Sequence, residues 1–145
     1  MCDLYGFMVI DEADIEAHGP FMIYRKEDTD YNRFKRWNET IADNPKWDAA
    51  ILDRVKLMVQ RDKTRFCIVM WSMGNESAYG CNFEKALEWT KSFDPDRITQ
   101  YESARYRNYD VTYNYDNLDI YSRMYPTFDE IEEYLKRDAG KPFCS

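Results

Sequence analysis

Histidine occurs only once in this chain, at position 18, which rules out the multi-histidine metal centres that several hydrolase classes require. Basic charge is also scarce. Lys and Arg number 20 against 27 Asp and Glu, for a net charge of −7, and no dense basic cluster offsets that balance. Nucleic acid and anionic membranes are therefore disfavoured as partners. Long apolar runs are missing: nothing approaches the roughly 18 residues a membrane span needs. The N-terminus has neither the basic start nor the apolar core of a secretory leader. Cys2, Cys67, Cys81 and Cys144 show no metal-knuckle spacing, and they are too few for a disulfide scaffold. A reduced state and a cytoplasmic setting are expected, with Cys67 a buried thiol in a core strand. No low-complexity linker divides the 145 residues, a length that suits one domain.

What the chain does have is aromatic: 17% of its residues, including twelve tyrosines and four tryptophans. Flat rings suit the apolar faces of sugars, but they equally suit an ordinary core, which accounts for most of them. The most informative stretch runs from Phe66 to Ser77. Phe66 to Trp71 is apolar and rich in β-branched and aromatic residues, so it reads as a strand buried on both faces. Polarity then switches on abruptly, and Gly74 permits a tight turn. In parallel α/β proteins, groups at the carboxyl end of a strand face the reaction crevice. Glu76 is placed there. From position alone, a catalytic carboxylate and an acid that merely opens the next helix are equally good readings.

The rest of the pattern predicts strands alternating with helices. Gly6 ends a short helix, and Phe7 to Ile10 form the first strand, with Asp11 to Gly19 as its carboxyl-end loop. Pro20 to Asp43 reads as a long polar connection containing Trp37. Asn44 and Pro45 open a helix to about Gln60, with Trp47, Ile51, Val55, Met58 and Val59 inward. After the Phe66 to Trp71 strand, Asn82 caps a second helix with Phe83, Leu87, Thr90 and Phe93 inward, stopped at Asp94-Pro95. Ile98 to Tyr101 and Leu118 to Tyr121 are further strands, separated by a tyrosine-rich loop over 105–117. Thr127 to Glu130 has capping-box spacing and starts a third helix with Ile131, Tyr134 and Leu135 inward, ended by Gly140. Such an order predicts parallel α/β construction.

Trp71-Ser72-Met73-Gly74-Asn75-Glu76-Ser77 resembles the acid/base signature of glycoside hydrolase family 2. The blocks Gly6 to Gly19, Val59 to Asp62, Asp94 to Glu102 and Met124 to Pro126 resemble further blocks of that family's β-galactosidase branch, in the same order. Five blocks in register extend the likeness along the whole chain. The resemblance implies a partial TIM (β/α)8 barrel over residues 1–145, about the third to sixth βα units, since a whole barrel takes roughly 250 residues. It also implies a retaining β-galactosidase mechanism, in which two carboxyls act as nucleophile and acid/base. Glu76 corresponds to the acid/base, whose pKa should be tuned towards the operating pH. Asn75 and Tyr125 correspond to sugar-binding positions. Glu16, His18 and Glu76 correspond to a divalent-metal site, normally Mg2+, with Mn2+ also suited to the ligands and zinc not excluded by ligand type. In an extended segment Glu16 and His18 point the same way and can share a ligand. Asp14 departs from the family's asparagine at its position. Arg123 and Glu102 read better as structural charge partners.

The family's nucleophile is a glutamate beyond a Lys-Pro block. Lys141-Pro142-Phe143-Cys144-Ser145 reaches that block without the glutamate, so an incomplete barrel that is inactive alone is expected. Glu130, Glu132 and Glu133 lie on a capped helix of the outer layer and cannot substitute. The expected partners are a β-galactoside, the remainder of the barrel, and a further copy of the chain through exposed sheet edges. Competing readings are a non-catalytic sugar-binding module, a β-glucuronidase or β-mannosidase-like relative, and a metal-dependent hydrolase. The first has no need of Glu76 after a strand. The Glu16–His18 pair and the Asp94 to Glu102 block favour the galactosidase branch over the second, and the third needs ligands beyond the single histidine.

Overall fold

The computed structural model describes residues 1–23, 29–137 and 140–145. Helix α1 (Cys2–Tyr5) ends at Gly6, which adopts the left-handed conformation (φ 72°) and bonds back to Cys2. Strand β1 (Val9–Glu12) follows. Helix α4 (Asp48–Asp62) is entered through a 3-10 turn at Pro45–Trp47, where the Asn44 side chain caps Lys46 N–H. Strand β2 (Ile68–Ser72), helix α5 (Cys81–Phe93) and strand β3 (Ile98–Gln100) complete a β-α-β-α-β series. The three strands form one parallel sheet in chain order, with Asp11 opposite Trp71 and Trp71 opposite Thr99. All three therefore deliver their carboxyl ends to one rim.

Helices α4 and α5 pack on each other and cover the sheet. The core between them holds Val55, Val59, Trp71, Phe83 and Leu87, with Met73, Tyr79 and Tyr101 above the strand ends. Each large apolar side chain fully buried here contributes about 1.5–3 kcal/mol. Arg97 binds the lower edge together. It donates to the carbonyls of Ile68 and Lys63 (2.9 Å each), pairs with Asp94 at 2.5 Å and lies over the Trp71 ring. Burial alone would raise the Asp94 carboxyl, but hydrogen bonds from Arg97 and Trp71 outweigh it and hold the group below the usual range.

Residues 20–43 depart from the expected loop. Helices α2 (Gly19–Ile23) and α3 (Asp30–Trp37) lie there, followed by a wide π turn over Asn38–Ala42. The Thr29 hydroxyl caps α3 by accepting from Asn32 N–H. Residues 24–28 of that expected connection lie outside the described residues. The apolar positions Phe34, Trp37 and Ile41 do recur at helical spacing and pack on the core, but the intervening charges mask the stripe.

Other boundaries also shift. Strand β2 begins at Ile68, so Phe66 is 92% exposed, and Cys67 is only half-buried beside it. Asn82 is not the cap of α5; Gly80 holds that place. Instead the buried Asn82 amide donates to the carbonyls of Ile41 (2.8 Å) and Asn44 (2.9 Å), tying α5 to the preceding turn. Gly80 is needed because a Cβ there would stand 2.4 Å from the Ala42 carbonyl carbon. Trp47, Phe93 and Leu135, expected inward, are exposed. Periodicity identifies an apolar stripe but not where its covering neighbours stop.

The expected fourth strand at Leu118 to Tyr121 does not extend the sheet. Asp119 turns against β3 instead, its carboxylate accepting Thr99 N–H (2.7 Å) while its own N–H donates to Thr99 O (3.0 Å). Strand β4 (Tyr121–Ser122) then pairs in parallel with β5 (Phe143–Cys144), forming a separate two-stranded sheet. The strands thus form two short parallel sheets and no closed barrel among the described residues. Between them helix α6 (Phe128–Lys136) starts at the expected capping box of Thr127 and Glu130. It ends at Lys136, before Gly140. Among the described residues no helix is long and apolar enough to cross a membrane.

Candidate active site

Parallel pairing does not stop at the strand ends. Ala13 N–H donates to Ser72 O (3.0 Å) and Asn75 N–H to Ile15 O (2.8 Å), so the chain beyond β1 runs alongside the chain beyond β2. That pairing sets Glu16 opposite Asn75. Gly74 makes the approach possible: at φ 132° it rests against Ile15, where a Cβ would lie 2.8 Å from the carbonyl oxygen. Glu76 follows with φ 37°, a left-handed conformation uncommon outside glycine and costing about 1–3 kcal/mol. Ser77 helps hold it, its buried hydroxyl donating to Asn75 O (2.7 Å).

The left-handed turn brings the Glu76 side chain to the β1 loop. His18 Nδ1 and Glu76 Oε2 stand 2.9 Å apart, with the two side chains 40% and 29% exposed. Asn75 Nδ2 donates to Glu16 Oε2 (3.0 Å). One ligating atom from each of Glu16, His18 and Glu76 lies within 4.8 Å of the other two. Two carboxylate oxygens and an imidazole nitrogen at that spacing fit a hard divalent cation, and the donor chemistry suits Mg2+ or Mn2+. His18 is also enclosed on the protein side, stacked on Trp37 (5.8 Å between centroids) and tilted against Phe21 (5.4 Å).

Residues 1–144 match the family described as "Glycosyl hydrolases family 2, TIM barrel domain". The chain belongs to glycosyl hydrolase family 2. It is 42% identical to a β-galactosidase of Staphylococcus xylosus over 99% of its own length and 14% of that protein. A β-galactosidase of Actinobacillus pleuropneumoniae is 37% identical over 99% of the chain and 16% of the relative. One from Lactobacillus delbrueckii subsp. bulgaricus is 39% identical over the full chain and 13% of the relative. The chain thus spans a small part of the length of these relatives.

Of the residues that the family resemblance singled out, Glu16, His18, Asn75 and Glu76 meet at one rim. Tyr125 does not join them through any hydrogen bond or ring contact among the described residues. It sits at φ 49° and is 91% exposed. Asp14 pairs with Arg54 at 2.6 Å on the surface. Arg123 pairs with Glu130, and the buried Glu102 pairs with Arg105 at 2.9 Å, so both act as charge partners within the fold. The sequence reading missed Trp37, Phe21 and Tyr106, the aromatic wall behind His18. The available signal was the helical spacing of Phe34, Trp37 and Ile41 within a stretch read as loop.

Proposed function

We propose that this chain carries the acid/base half of a retaining β-galactosidase and takes terminal β-D-galactosides as substrate when joined by the remaining barrel. The observation that carries this reading is Glu76, held in a left-handed turn at the carboxyl end of β2 and hydrogen-bonding distance (2.9 Å) from His18. Its role is to donate a proton to the departing glycosidic oxygen and then to accept one from the incoming water. Asn75 orients the sugar, and Tyr125 contributes from the loop after β4 once the barrel is complete. Glu16, His18 and Glu76 hold Mg2+, or Mn2+ in its place; bound there, the cation supplies positive charge that orders the acid/base carboxylate. The parallel β1-β2-β3 order supports placing the chain in part of a (β/α)8 barrel.

The nucleophile is a carboxylate outside this set. Glu16 comes near Glu76, but its carboxylate accepts from Asn75 and stands within 4.8 Å of the ligand atoms of both His18 and Glu76, the spacing of a shared cation. A β-glucuronidase or β-mannosidase-like activity is disfavoured by the Glu16–His18 pair. The same chain on its own is inactive, because an acid without its nucleophile forms no covalent intermediate.

Two measurements test the reading. The isolated chain should hydrolyse an aryl β-galactoside at background rate and take no label from a 2-fluoro-galactoside that traps glycosyl-enzymes. Labelling of Glu16 would overturn the assignment. In a chimera with this chain replacing the matching stretch of the Staphylococcus xylosus relative, Glu76→Gln should lower turnover of lactose by orders of magnitude. It should spare substrates whose leaving group needs no protonation, and azide should accelerate those. Equal losses on both substrate types would refute an acid/base role.

A further inference from the structure

We infer that Trp37 is a positioning residue for the cation site, holding the His18 ring and the Ala17 carbonyl so that the imidazole faces Glu76. The inference rests on the proposed cation reading of Glu16, His18 and Glu76.

Trp37 is 2% exposed, yet it contacts the site on two counts. Its indole Nε1–H donates to Ala17 O at 2.8 Å, fixing the backbone between Glu16 and His18. Its ring lies against the His18 ring at 5.8 Å and 24°. The His18 Nδ1 edge is thereby presented to Glu76 Oε2 at 2.9 Å. The single-bond rotations of a half-exposed histidine would otherwise let the ring swing towards solvent.

The indole is itself braced from behind. Tyr106 packs on Trp37 at 5.2 Å, and the Tyr106 carbonyl accepts both Asn38 Nδ2 (3.2 Å) and Tyr79 N–H (2.8 Å). Tyr79 lies three residues after Glu76. Trp37 thus adds a second tie between the loop bearing Glu16 and His18 and the segment bearing Glu76, beside the Asn75–Ile15 and Asn75–Glu16 bonds. Phe34, one turn earlier on α3, packs on Phe21, Tyr106 and Tyr109. It shares the aromatic cluster but makes no ring contact with His18, and so it separates packing from positioning.

Outer residues that orient metal-ligating side chains typically contribute about 10–100-fold to affinity. The experiment measures Mn2+ affinity of the whole chain by the loss of free Mn2+ paramagnetic resonance, alongside thermal unfolding. Trp37→Leu should weaken Mn2+ by about 10-fold or more. Trp37→Phe, which keeps a ring on His18 but loses the indole donor, should weaken it about fivefold. Phe34→Leu should lower the melting temperature while leaving Mn2+ affinity within about twofold of the parent. Should Trp37→Leu fail to fold, Trp37→Phe decides the matter. Unchanged affinity in the folded Trp37 variants, where Glu16→Gln abolishes binding, would overturn the inference and leave the cation site intact. Loss in Phe34→Leu equal to that in Trp37→Leu would also overturn it, reducing Trp37 to packing. No Mn2+ binding by the parent, or binding indifferent to Glu16→Gln and Glu76→Gln, would remove the cation site itself and the inference with it.

Discussion

Gly74→Ala puts the closeness of the two ligand-bearing loops under direct strain. The added Cβ would stand 2.8 Å from Ile15 O and 2.9 Å from Ile15 Cβ, distances that real Cβ atoms essentially never adopt. Backbone lines one side of that contact, so no flexible side chain can swing away. The φ of 132° is a second obstacle for any residue with a Cβ. Strained conformation and overpacking each cost about 1–3 kcal/mol, so a loss of about 2–6 kcal/mol is expected. That is a large share of the roughly 5–15 kcal/mol by which a domain is stable. At about 2–4 °C per kcal/mol for a chain near this size, the melting temperature should fall by roughly 4–24 °C. The relief available is to part Gly74 from Ile15, which breaks the Asn75 N–H to Ile15 O bond and carries Glu76 away from Glu16. Mn2+ affinity should therefore fall with stability. Gly19→Ala is the control: nothing lies within 4 Å of its Cβ position, and a helical Gly→Ala change should be neutral or stabilising by about 0.4–1 kcal/mol. Urea titration followed by circular dichroism gives both midpoints and slopes. A Gly74→Ala midpoint within about 0.5 kcal/mol of the parent, with Mn2+ binding intact, would refute the close-approach argument.

Asp94→Asn should destabilise the chain at neutral pH by about 1.5–3 kcal/mol, the worth of charge-assisted bonds. Because the folded Asp94 pKa is depressed, its contribution is present above the unfolded carboxylate range and is lost as pH falls through the folded value. The gap between parent and variant in urea midpoint should therefore close in acid; a pH-independent gap would contradict the assignment. Asn82→Ala removes two hydrogen bonds, leaving the Ile41 and Asn44 carbonyls only their backbone donors Asn44 N–H and Trp47 N–H, and should cost about 1–3 kcal/mol, readable in the same titration. Strand β1 leaves one edge unpaired among the described residues, with Met8 and Ile10 exposed along it. Self-association through this edge is expected, and sedimentation should show a mass that rises with concentration and falls in Ile10→Lys. A monomer at all concentrations would refute it.

Short-range chemistry was legible without coordinates. Gly6 ended a helix and Thr127 and Glu130 formed a capping box, because each device is completed within three or four residues of itself. The apolar run before Gly74 became the central strand, and the motif residues around it reached one rim, because parallel strands in chain order leave their carboxyl ends no other place. Exposed sheet edges were expected, and β1 keeps one among the described residues, but on the β3 side Asp119 satisfies Thr99, a contact across 20 residues that no local rule contains.

What only the tertiary structure decided has the same physical origin throughout. The sequence around Trp37 is charged enough to read as loop, and it folds as helix because Tyr106, Phe21 and Ala17 provide a buried face and an acceptor for it. Asn82 looks like a cap, but the carbonyls of a distant turn compete for its amide and win. Leu118 to Tyr121 carries strand-forming residues, yet only Tyr121 enters a strand, paired with β5, while Asp119 bonds the edge of β3. Composition and motif determined which groups are present and in what order along the chain. The distance of 2.9 Å between His18 and Glu76, and the indole that holds it, came from contacts between segments whose separation only the packed chain closes.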